Sequence, residues 1–340
     1  MPSGQVVTVF GAYGHTGRFV VAELRDRGLI PLLAGRDTEK LRALASDQPG
    51  LDVRLASADD PASIDRALTG AAAVINCAGP FATTAAPVIE AALRAGIGYV
   101  DVAAEIEANA DTFTCFADRA REAGIVVLPA MAFFGGLGDL LATAAMGDWK
   151  TAEEAHVAYG LSSWHPTAGT RAAGKVSGQR RNGRRVRFTN GQLEYHDDVP
   201  PTVQWSFPAP LGTRPVISGF TMADVVTIPS HLAIPEVCTY MTTQAADDLA
   251  AARTPGPTPA DERGRSAQTF MVDVVVRRGG QERRAIARGR DIYAVTAPLA
   301  VEAVQRILAG QARTTGVVSA GELFDAPDFL SALRGHLSLS

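Results

Sequence analysis

Short apolar stretches alternate with amphipathic ones along the first third of the chain. The apolar, β-branched stretches predict strands, and the intervening segments with apolar residues at helical spacing predict helices. The predicted strands cover residues 6–10, 29–34, 53–56, 73–77, 99–102 and 125–128, and helices are predicted near 61–68, 83–95 and 108–122. This alternation is typical of a parallel sheet with helices on both faces.

The pattern changes between about residues 155 and 294, where β patterns are broken by turns. The turn signals are Asn182-Gly183, Asn190-Gly191 and Gly279-Gly280. Alternation over residues 270–276 and its return over 284–292 predict a hairpin, and an amphipathic helix follows Pro298. We therefore predict an α/β fold with a doubly wound parallel sheet over 1–133 plus 298–340. A second α+β domain with a largely antiparallel sheet is predicted over 134–297.

A glycine-rich turn joins the first predicted strand to the first helix. Gly11, Gly14 and Gly17 lie between the apolar residues 6–10 and an amphipathic stretch that ends at Gly28. Glycines in this position let the backbone approach a pyrophosphate, and the helix N-terminus offers it unpaired N–H groups. An ordinary strand-to-helix turn without a ligand is the alternative. We predict a dinucleotide-binding Rossmann domain whose cofactor contacts here are Gly11, Tyr13, Gly14, His15, Thr16 and Gly17.

The end of the second predicted strand bears on which dinucleotide is bound. NAD-binding domains usually carry a carboxylate there to hold the ribose 2′-hydroxyl. In this chain Gly35 takes that position and Arg36 follows it, so a guanidinium is available for a 2′-phosphate. Asp37 is predicted to cap the next helix. The sequence therefore favours NADP over NAD, with Gly35 and Arg36 as further contacts.

Composition narrows the class of protein. The chain has 340 residues, 46% of them hydrophobic and 20% charged, and its net charge of −4 argues against general nucleic-acid binding. We predict no signal peptide, no membrane span and a cytoplasmic location. The three cysteines and six histidines show no metal-ligand spacing, so no metal site is predicted.

Three further segments, taken with the glycine turn, resemble the saccharopine dehydrogenase-like oxidoreductases. They are INCAGPF at 75–81, AGIGYVDVAAE at 95–105 and PAMAFFGGLGDLLA at 129–142. The resemblance implies that Asn76, Ala78, Gly79 and Pro80 lie beside the nicotinamide ribose and pyrophosphate. Ser57 departs from the pattern, because relatives often carry an aspartate beside the adenine, and this leaves the adenine contact open.

Three carboxylates are candidate catalytic groups. Asp101 and Glu105 follow a strand of the parallel sheet at its carboxyl end, where ligands bind in such sheets, and Asp139 lies near a predicted helix start. Asp101 and Glu105 could position a substrate or relay a proton, with helix capping or a structural ion pair as the alternative. Asp139 could form a hinge and pocket wall between the domains, with helix capping as the alternative. The basic run at residues 180–185 is interpreted as a solvated hairpin tip, with a clamp for an acidic substrate or an acyl carrier as the alternative.

These observations predict an NADPH-dependent oxidoreductase. Relatives transfer hydride to C=N or C=C bonds, and the resemblance implies a small-molecule or carrier-bound acyl or imine substrate. A non-catalytic NADP-binding redox sensor or scaffold is the alternative. No tyrosine has a lysine four residues further on, which argues against the alcohol–ketone chemistry of short-chain dehydrogenases. Whether the chain forms a homo-oligomer is left open.

Overall fold

The structure is a computed structural model that describes residues 4–46 and 50–340. The first part of the chain alternates strands and helices as the sequence predicts. Its strands are β1 (Val6–Phe10), β2 (Ile30–Gly35), β3 (Val53–Leu55), β4 (Ala73–Asn76), β5 (Gly98–Asp101) and β6 (Val126–Leu128). Its helices are α1 (His15–Asp26), α2 (Thr38–Ser46), α3 (Pro61–Leu68), α4 (Phe81–Ala95) and α5 (Ile106–Glu122).

The remainder of the chain contains a second set of strands with helices between them. Its central elements are α6 (Gly136–Met146), β7 (Glu154–Leu161), α7 (Ala168–Arg180), β8 (Arg185–Thr189), β9 (Gln192–His196), β10 (Thr202–Ser206), β11 (Thr213–Ser218), α8 (Asp224–Thr227), β12 (Glu236–Thr242), α9 (Thr243–Ala250), β13 (Thr269–Arg278) and β14 (Gln281–Arg290). The C-terminal elements are α10 (Thr296–Leu308), β15 (Gly316–Val317), α11 (Ala320–Leu323), α12 (Ala326–Ala332) and β16 (Ser338–Leu339).

The first sheet is parallel throughout, with strand order β15-β6-β5-β4-β1-β2-β3. Its direction of winding reverses between β1 and β4, which pair directly. In sheets of this kind the carboxyl ends of the strands on either side of the reversal leave a crevice that binds ligands. The predicted Rossmann doubly wound sheet is confirmed.

The second sheet is mixed but mostly antiparallel, with order β10-β11-β12-β7-β13-β14-β16 and β8 and β9 attached through β12. The predicted hairpin is the β13–β14 pair, which turns at Gly279 and Gly280, both with positive φ. Asn182-Gly183 was interpreted as a hairpin turn, and this is wrong. These two residues connect α7 to β8, and α7 was not predicted because its sequence lacks a marked apolar stripe.

The C-terminal segment contributes to both sheets. Helix α10 packs on α1, β4 and β5, and β15 extends the first sheet beside β6. Strand β16 pairs with β14 of the second sheet. The assignment of the whole of 298–340 to the first domain therefore stays a prediction.

The apolar core runs without a break from one sheet to the other. Helix α6 packs against β13 and β14, and an aromatic cluster stands where the two sheets meet. Ring centroids of Phe133 lie 4.8 Å from Phe134, 5.3 Å from Tyr159 and 4.7 Å from Phe270. Aromatic contacts at this spacing add to the free energy gained by burial alone. Within the ranges 4–46 and 50–340, no helix combines the length and apolarity needed to cross a membrane.

Candidate functional site

A cleft of about 790 Å³ lies at the carboxyl ends of β1, β2, β4 and β5, on the side where the second sheet and α7 cover the first sheet. Its wall contains both the glycine turn and residues of the second part of the chain. The cleft therefore stands at the crevice that the strand order predicts. Most of the candidate cofactor residues line it, namely Gly11, Tyr13, Gly14, His15, Thr16, Gly35, Arg36, Ser57, Ala78, Gly79 and Pro80.

The glycine turn has the shape of a phosphate cradle. Gly11 has a φ of +85°, and a Cβ there would lie 2.9 Å from the backbone N of Ala78. A Cβ on Gly17 would lie 2.3 Å from the carbonyl oxygen of Gly11, so Gly17 serves close packing and faces the turn itself. Gly14 is the N-cap of α1, and no side chain caps the first turn. The first-turn N–H groups are thus available to an anion, and the residues present fit a dinucleotide pyrophosphate.

The turn after β2 makes room for an aromatic ring. A Cβ on Gly35 would lie 2.8 Å from Cε1 of Tyr13, so the ring of Tyr13 occupies the space that a side chain at 35 would fill. Arg36 is exposed at the cleft rim and forms no ion pair with any described residue. Lys40 stands over the Tyr13 ring, 5.7 Å from its centroid. Lys40 also pairs with Asp37 at 3.0 Å, so Arg36 is the cation that this end of the cleft leaves for a ligand. With no carboxylate at the position of Gly35, it suits a ribose phosphate better than a free ribose.

Asn76 forms hydrogen bonds within the turn at the end of β4 and does not line the described cleft. The Asn76 side chain is fully buried, and its Oδ1 accepts a hydrogen bond from the Ala78 backbone N at 3.0 Å. The Nδ2 group donates to Tyr99 Oη at 3.2 Å and contacts Thr84 Oγ1 at 3.4 Å. These partners satisfy the buried Asn76 amide, whose hydrogen-bond partners the sequence alone does not identify. Its direct contact with a cofactor stays a prediction.

Both carboxylate oxygens of Asp101 also accept hydrogen bonds from groups within the fold. Its Oδ1 accepts hydrogen bonds from the backbone N of Ala103 at 3.0 Å and of Ala130 at 2.8 Å, and its Oδ2 accepts from Tyr99 Oη at 2.8 Å. Burial raises the pKa of Asp101 to about 6 against the pull of these donors. Asp101 ties the end of β5 to the loop after β6, and it does not reach the lining of the cleft in the described structure.

Glu105 differs from Asp101 because one of its oxygens has no partner. Oε1 accepts a hydrogen bond from the Phe81 backbone N at 2.8 Å, while Oε2 is buried and unpartnered among the described residues. The side chain lines the cleft beside Gly79, Pro80 and Phe81. Burial, aided by the Asp101 charge, raises the pKa of Glu105 to about 7. A carboxyl group in this state is able to give or take a proton near neutral pH.

Asp139 lies elsewhere, on the buried face of α6. Its Oδ1 is 2.7 Å from Nε2 of His231, and its Oδ2 accepts a hydrogen bond from the Gly321 backbone N at 2.7 Å. Burial acts to lower the pKa of His231, but the Asp139 carboxylate outweighs it and the pKa is raised overall. Asp139 joins α6 to the loop after α8 and to α11, and the described cleft lining does not include it.

Helix α7 and Tyr293 form a part of the site that the sequence reasoning missed. One face of α7 lines the cleft with the small residues Thr170, Ala173, Gly174 and Ser177. The hydroxyl of Tyr293 accepts hydrogen bonds from Trp164 Nε1 and from the Thr167 backbone N, both at 3.2 Å. A small-residue face that turns toward a ligand has no apolar periodicity, so the pattern of hydrophobic positions carried no signal for it.

Tyr293 also contacts the glycine turn. Its ring meets the ring of His15 edge-on, with centroids 5.2 Å apart. The Nε2 atom of His15 is buried and unpartnered among the described residues, and burial lowers the pKa of this imidazole. A neutral imidazole in the glycine turn offers one hydrogen bond to a bound ligand. Cys77, also in the cleft wall, is inert by comparison, because burial raises the pKa of its thiol.

Residues 7–128 match the family model of the saccharopine dehydrogenase NADP-binding domain. The match lies within the first sheet and its helices and covers less than half of the chain. The resemblance predicted from the sequence is thereby confirmed, and NADP is the cofactor that the family model names. The glycine cradle and the carboxylate-free end of β2 fit it.

Relatives share the first third of the chain. A saccharopine dehydrogenase-like oxidoreductase of Arabidopsis thaliana, whose name places it in mitochondria, is 32% identical over 142 residues, covering 37% of this chain and 31% of that protein. The Bos taurus saccharopine dehydrogenase-like oxidoreductase is 28% identical over 145 residues, covering 37% and 34%. A trans-acting enoyl reductase of Mycobacterium ulcerans is 28% identical over 136 residues, covering 37% and 32%. The matched region thus spans about a third of each relative's length.

The fold of the whole chain has a counterpart among solved structures. It is similar to saccharopine dehydrogenase (L-Glu forming) from Saccharomyces cerevisiae, with a TM-score of 0.68 over 99% of each chain. Sequence identity between the two is 11%, so the likeness concerns the fold. It extends over the second sheet as well as the first.

Proposed function

We propose that this protein is an NADPH-dependent oxidoreductase that transfers hydride to a C=N or C=C bond. The family match of residues 7–128, the glycine cradle and the Arg36 guanidinium beside Gly35 support NADPH as the cofactor. The oxidoreductases among its relatives support a redox reaction, and the enoyl reductase among them supports a carrier-bound acyl substrate beside a small imine. The cytoplasmic location stays a prediction.

The observation that carries the catalytic part of the proposal is the free oxygen of Glu105. Bound NADPH would supply a hydride, and reduction of a C=N or C=C bond then requires one proton. Glu105 lines the cleft, its buried Oε2 atom has no partner among the described residues, and its pKa is about 7, so it holds a proton below neutral pH and can release it to the substrate. The Phe81 N–H fixes the other oxygen and thereby orients the group.

The rest of the wall positions the reactants and excludes water. Gly11 and Gly14 would hold the pyrophosphate, and Gly79 with Pro80 would border the nicotinamide. Phe133, Phe134, Trp164 and Phe220 give the opposite side of the cleft an apolar surface. Such a surface removes water from the reacting atoms and strengthens the electrostatic effect of the single carboxyl group.

The test is anaerobic turnover of NADPH with a panel of imines and enones. We expect at least one class to be reduced, and we expect Glu105→Gln to lower kcat by ~100-fold or more with NADPH affinity nearly unchanged. Glu90→Gln changes a half-buried carboxylate of α4 that pairs with Arg119 and does not line the described cleft, so it is the matched control and should keep wild-type turnover. Full activity in Glu105→Gln would leave solvent or substrate as the proton source. NADPH that binds but stays unoxidised across the panel would favour the alternative, a redox sensor or scaffold.

A further inference from the structure

The cleft has a cationic end formed by the last turn of α7 and the residues after it. Arg181 and Arg185 both line the cleft there. The Nε atom of Arg181 is buried and has no hydrogen-bond partner among the described residues. A buried guanidinium N–H without a partner carries a free-energy cost, which a bound acceptor would remove.

The partners that Arg181 does have hold it in place. Its Nη1 donates to Ser177 Oγ at 2.6 Å and lies 3.4 Å from Glu107 Oε1. Ser177 in turn donates to the other oxygen of Glu107 at 2.5 Å. Glu107 is only 7% exposed and Ser177 is also buried, so a buried carboxylate and a buried hydroxyl hold the half-buried Arg181 guanidinium. The Glu107 contact involves one nitrogen at long range, and the Nε edge of Arg181 is left for a ligand.

Arginine side chains outnumber the carboxylates that pair with them around this end of the cleft. Arg185 and Arg187 share a single carboxylate, Asp198. Arg184 stands over the ring of Tyr195, 4.9 Å from its centroid, and forms no ion pair within the described ranges. The local charge is therefore positive, which attracts an anion into the cleft. The interpretation of this basic run as a solvated hairpin tip is therefore wrong: Arg181 and Arg185 line the cleft, and Arg184 is half-buried against Tyr195.

Arg181 and the proposed proton donor, Glu105, line the same cleft. Glu107, which Arg181 contacts, lies in the first turn of α5, two positions after Glu105 at the N-cap of that helix. The apolar residues Ile217, Phe220 and Met222 are also in the cleft wall. A ligand with one anionic group and an apolar body would contact both regions.

We propose that Arg181, assisted by Arg185, binds an anionic group of the substrate, a carboxylate or a phosphate, near the bond that is reduced. This inference rests on the proposed function only in calling the ligand a substrate. The anion site itself follows from Arg181, Ser177 and Glu107. Arg181 is in these terms a specificity-determining residue.

Equilibrium binding of three matched probes to the NADP⁺-saturated protein tests the proposal. The probes are hexanoate, hexyl phosphate and 1-hexanol at equal ionic strength, measured by titration calorimetry. Saturation with NADP⁺ keeps the anions away from the glycine cradle. We expect at least one anion to bind at least tenfold more tightly than hexanol, and its identity distinguishes a carboxylate from a phosphate ligand. Arg181→Gln should abolish this preference.

Two further variants make the result unambiguous. Arg184→Gln changes a neighbouring arginine that faces Tyr195, and it should keep the preference for the anion. The double variant Glu107→Gln/Arg181→Gln avoids an unpaired buried carboxylate, so it should fold where the single variant does not, and it should still lose the preference. Equal affinities for anion and alcohol in the wild type, no saturable binding of either anion, or wild-type anion binding in the double variant would each overturn the proposal. Failure of NADPH turnover in the imine and enone panel would instead concern the proposed function, because this experiment requires no turnover.

Discussion

Replacing Glu105 by glutamine should raise the stability of the protein at alkaline pH even as it lowers activity. The pKa of Glu105 is raised from the usual 4.5 to about 7 in the folded protein. Between these values the unfolded chain has lost the proton and the folded chain still holds it. The free energy of unfolding therefore falls as pH rises from about 4.5 to about 7, and the loss is complete above the folded pKa.

The size of the effect follows from the same two values. At 1.36 kcal/mol per pKa unit, the raised pKa of Glu105 corresponds to ~3 kcal/mol. Glutamine resembles the protonated acid, because its amide oxygen can accept the hydrogen bond from Phe81 N and its NH₂ group takes the place of Oε2. Wild type and Glu105→Gln should thus be about equally stable near pH 5, and the variant should be more stable by up to ~3 kcal/mol near pH 8.5.

Urea unfolding of both proteins at the two pH values measures this difference directly. Asp224, which burial also gives a raised pKa, contributes equally to both proteins and cancels, whereas the repulsion between Asp101 and Glu105 is part of the measured difference. Glu90→Gln is the control, since the Arg119 guanidinium lowers the pKa of Glu90 and its contribution changes only at acid pH. A stability difference between wild type and Glu105→Gln that is the same at both pH values would refute the account of Glu105 as a buried, protonated carboxyl group.

Three other predictions concern the cofactor and the core. NADPH should bind at least tenfold more tightly than NADH in calorimetric titrations, and Arg36→Ala should erase most of this difference in binding free energy, ~1.4 kcal/mol or more. Equal affinities of the wild type for the two cofactors would contradict this prediction. Gly17→Ala places a Cβ 2.3 Å from the Gly11 oxygen and should weaken NADPH binding at least tenfold, whereas an unchanged dissociation constant would show that the cradle tolerates distortion. Asp139→Asn should destabilise the protein by ~3 kcal/mol in urea unfolding near pH 5.5 and by less near pH 9. The reason is that the raised pKa of His231 contributes to the free energy of unfolding only while that imidazole is protonated. A loss of stability that is independent of pH would argue against the ion pair.

The first sheet could be predicted from the sequence because its strands are short apolar runs separated by amphipathic helices. The glycine cradle was predictable for the same reason, as its position between β1 and α1 is local in the chain. The roles of the candidate catalytic carboxylates could not be predicted in this way. Asp101 and Glu105 differ only in what surrounds them: Asp101 accepts from Ala130 in the loop after β6, and Glu105 keeps a free oxygen.

The second part of the chain was harder to predict. Helix α7 lies over the cleft with a face of small residues, so its sequence lacks the amphipathic pattern by which helices are predicted. The Asn182-Gly183 pair, which is a strong hairpin signal between two strands, here follows a helix. Asp139 gains its role from His231, which lies 92 positions away. Contacts at such separations leave no periodic trace in the sequence.

The late return of the chain to the first sheet has a consequence for synthesis on the ribosome. Strand β15 pairs with β6, and α10 covers β4 and β5, yet both elements follow the entire second sheet except β16. While residues 134–295 are being translated, the nascent first sheet therefore has an open edge beside β6 and an uncovered apolar surface over β4 and β5. Exposed edges and apolar faces of this kind promote aggregation of folding intermediates. The N-terminal half of this protein should consequently depend on chaperones for longer than a Rossmann domain whose covering helices are contiguous in the chain.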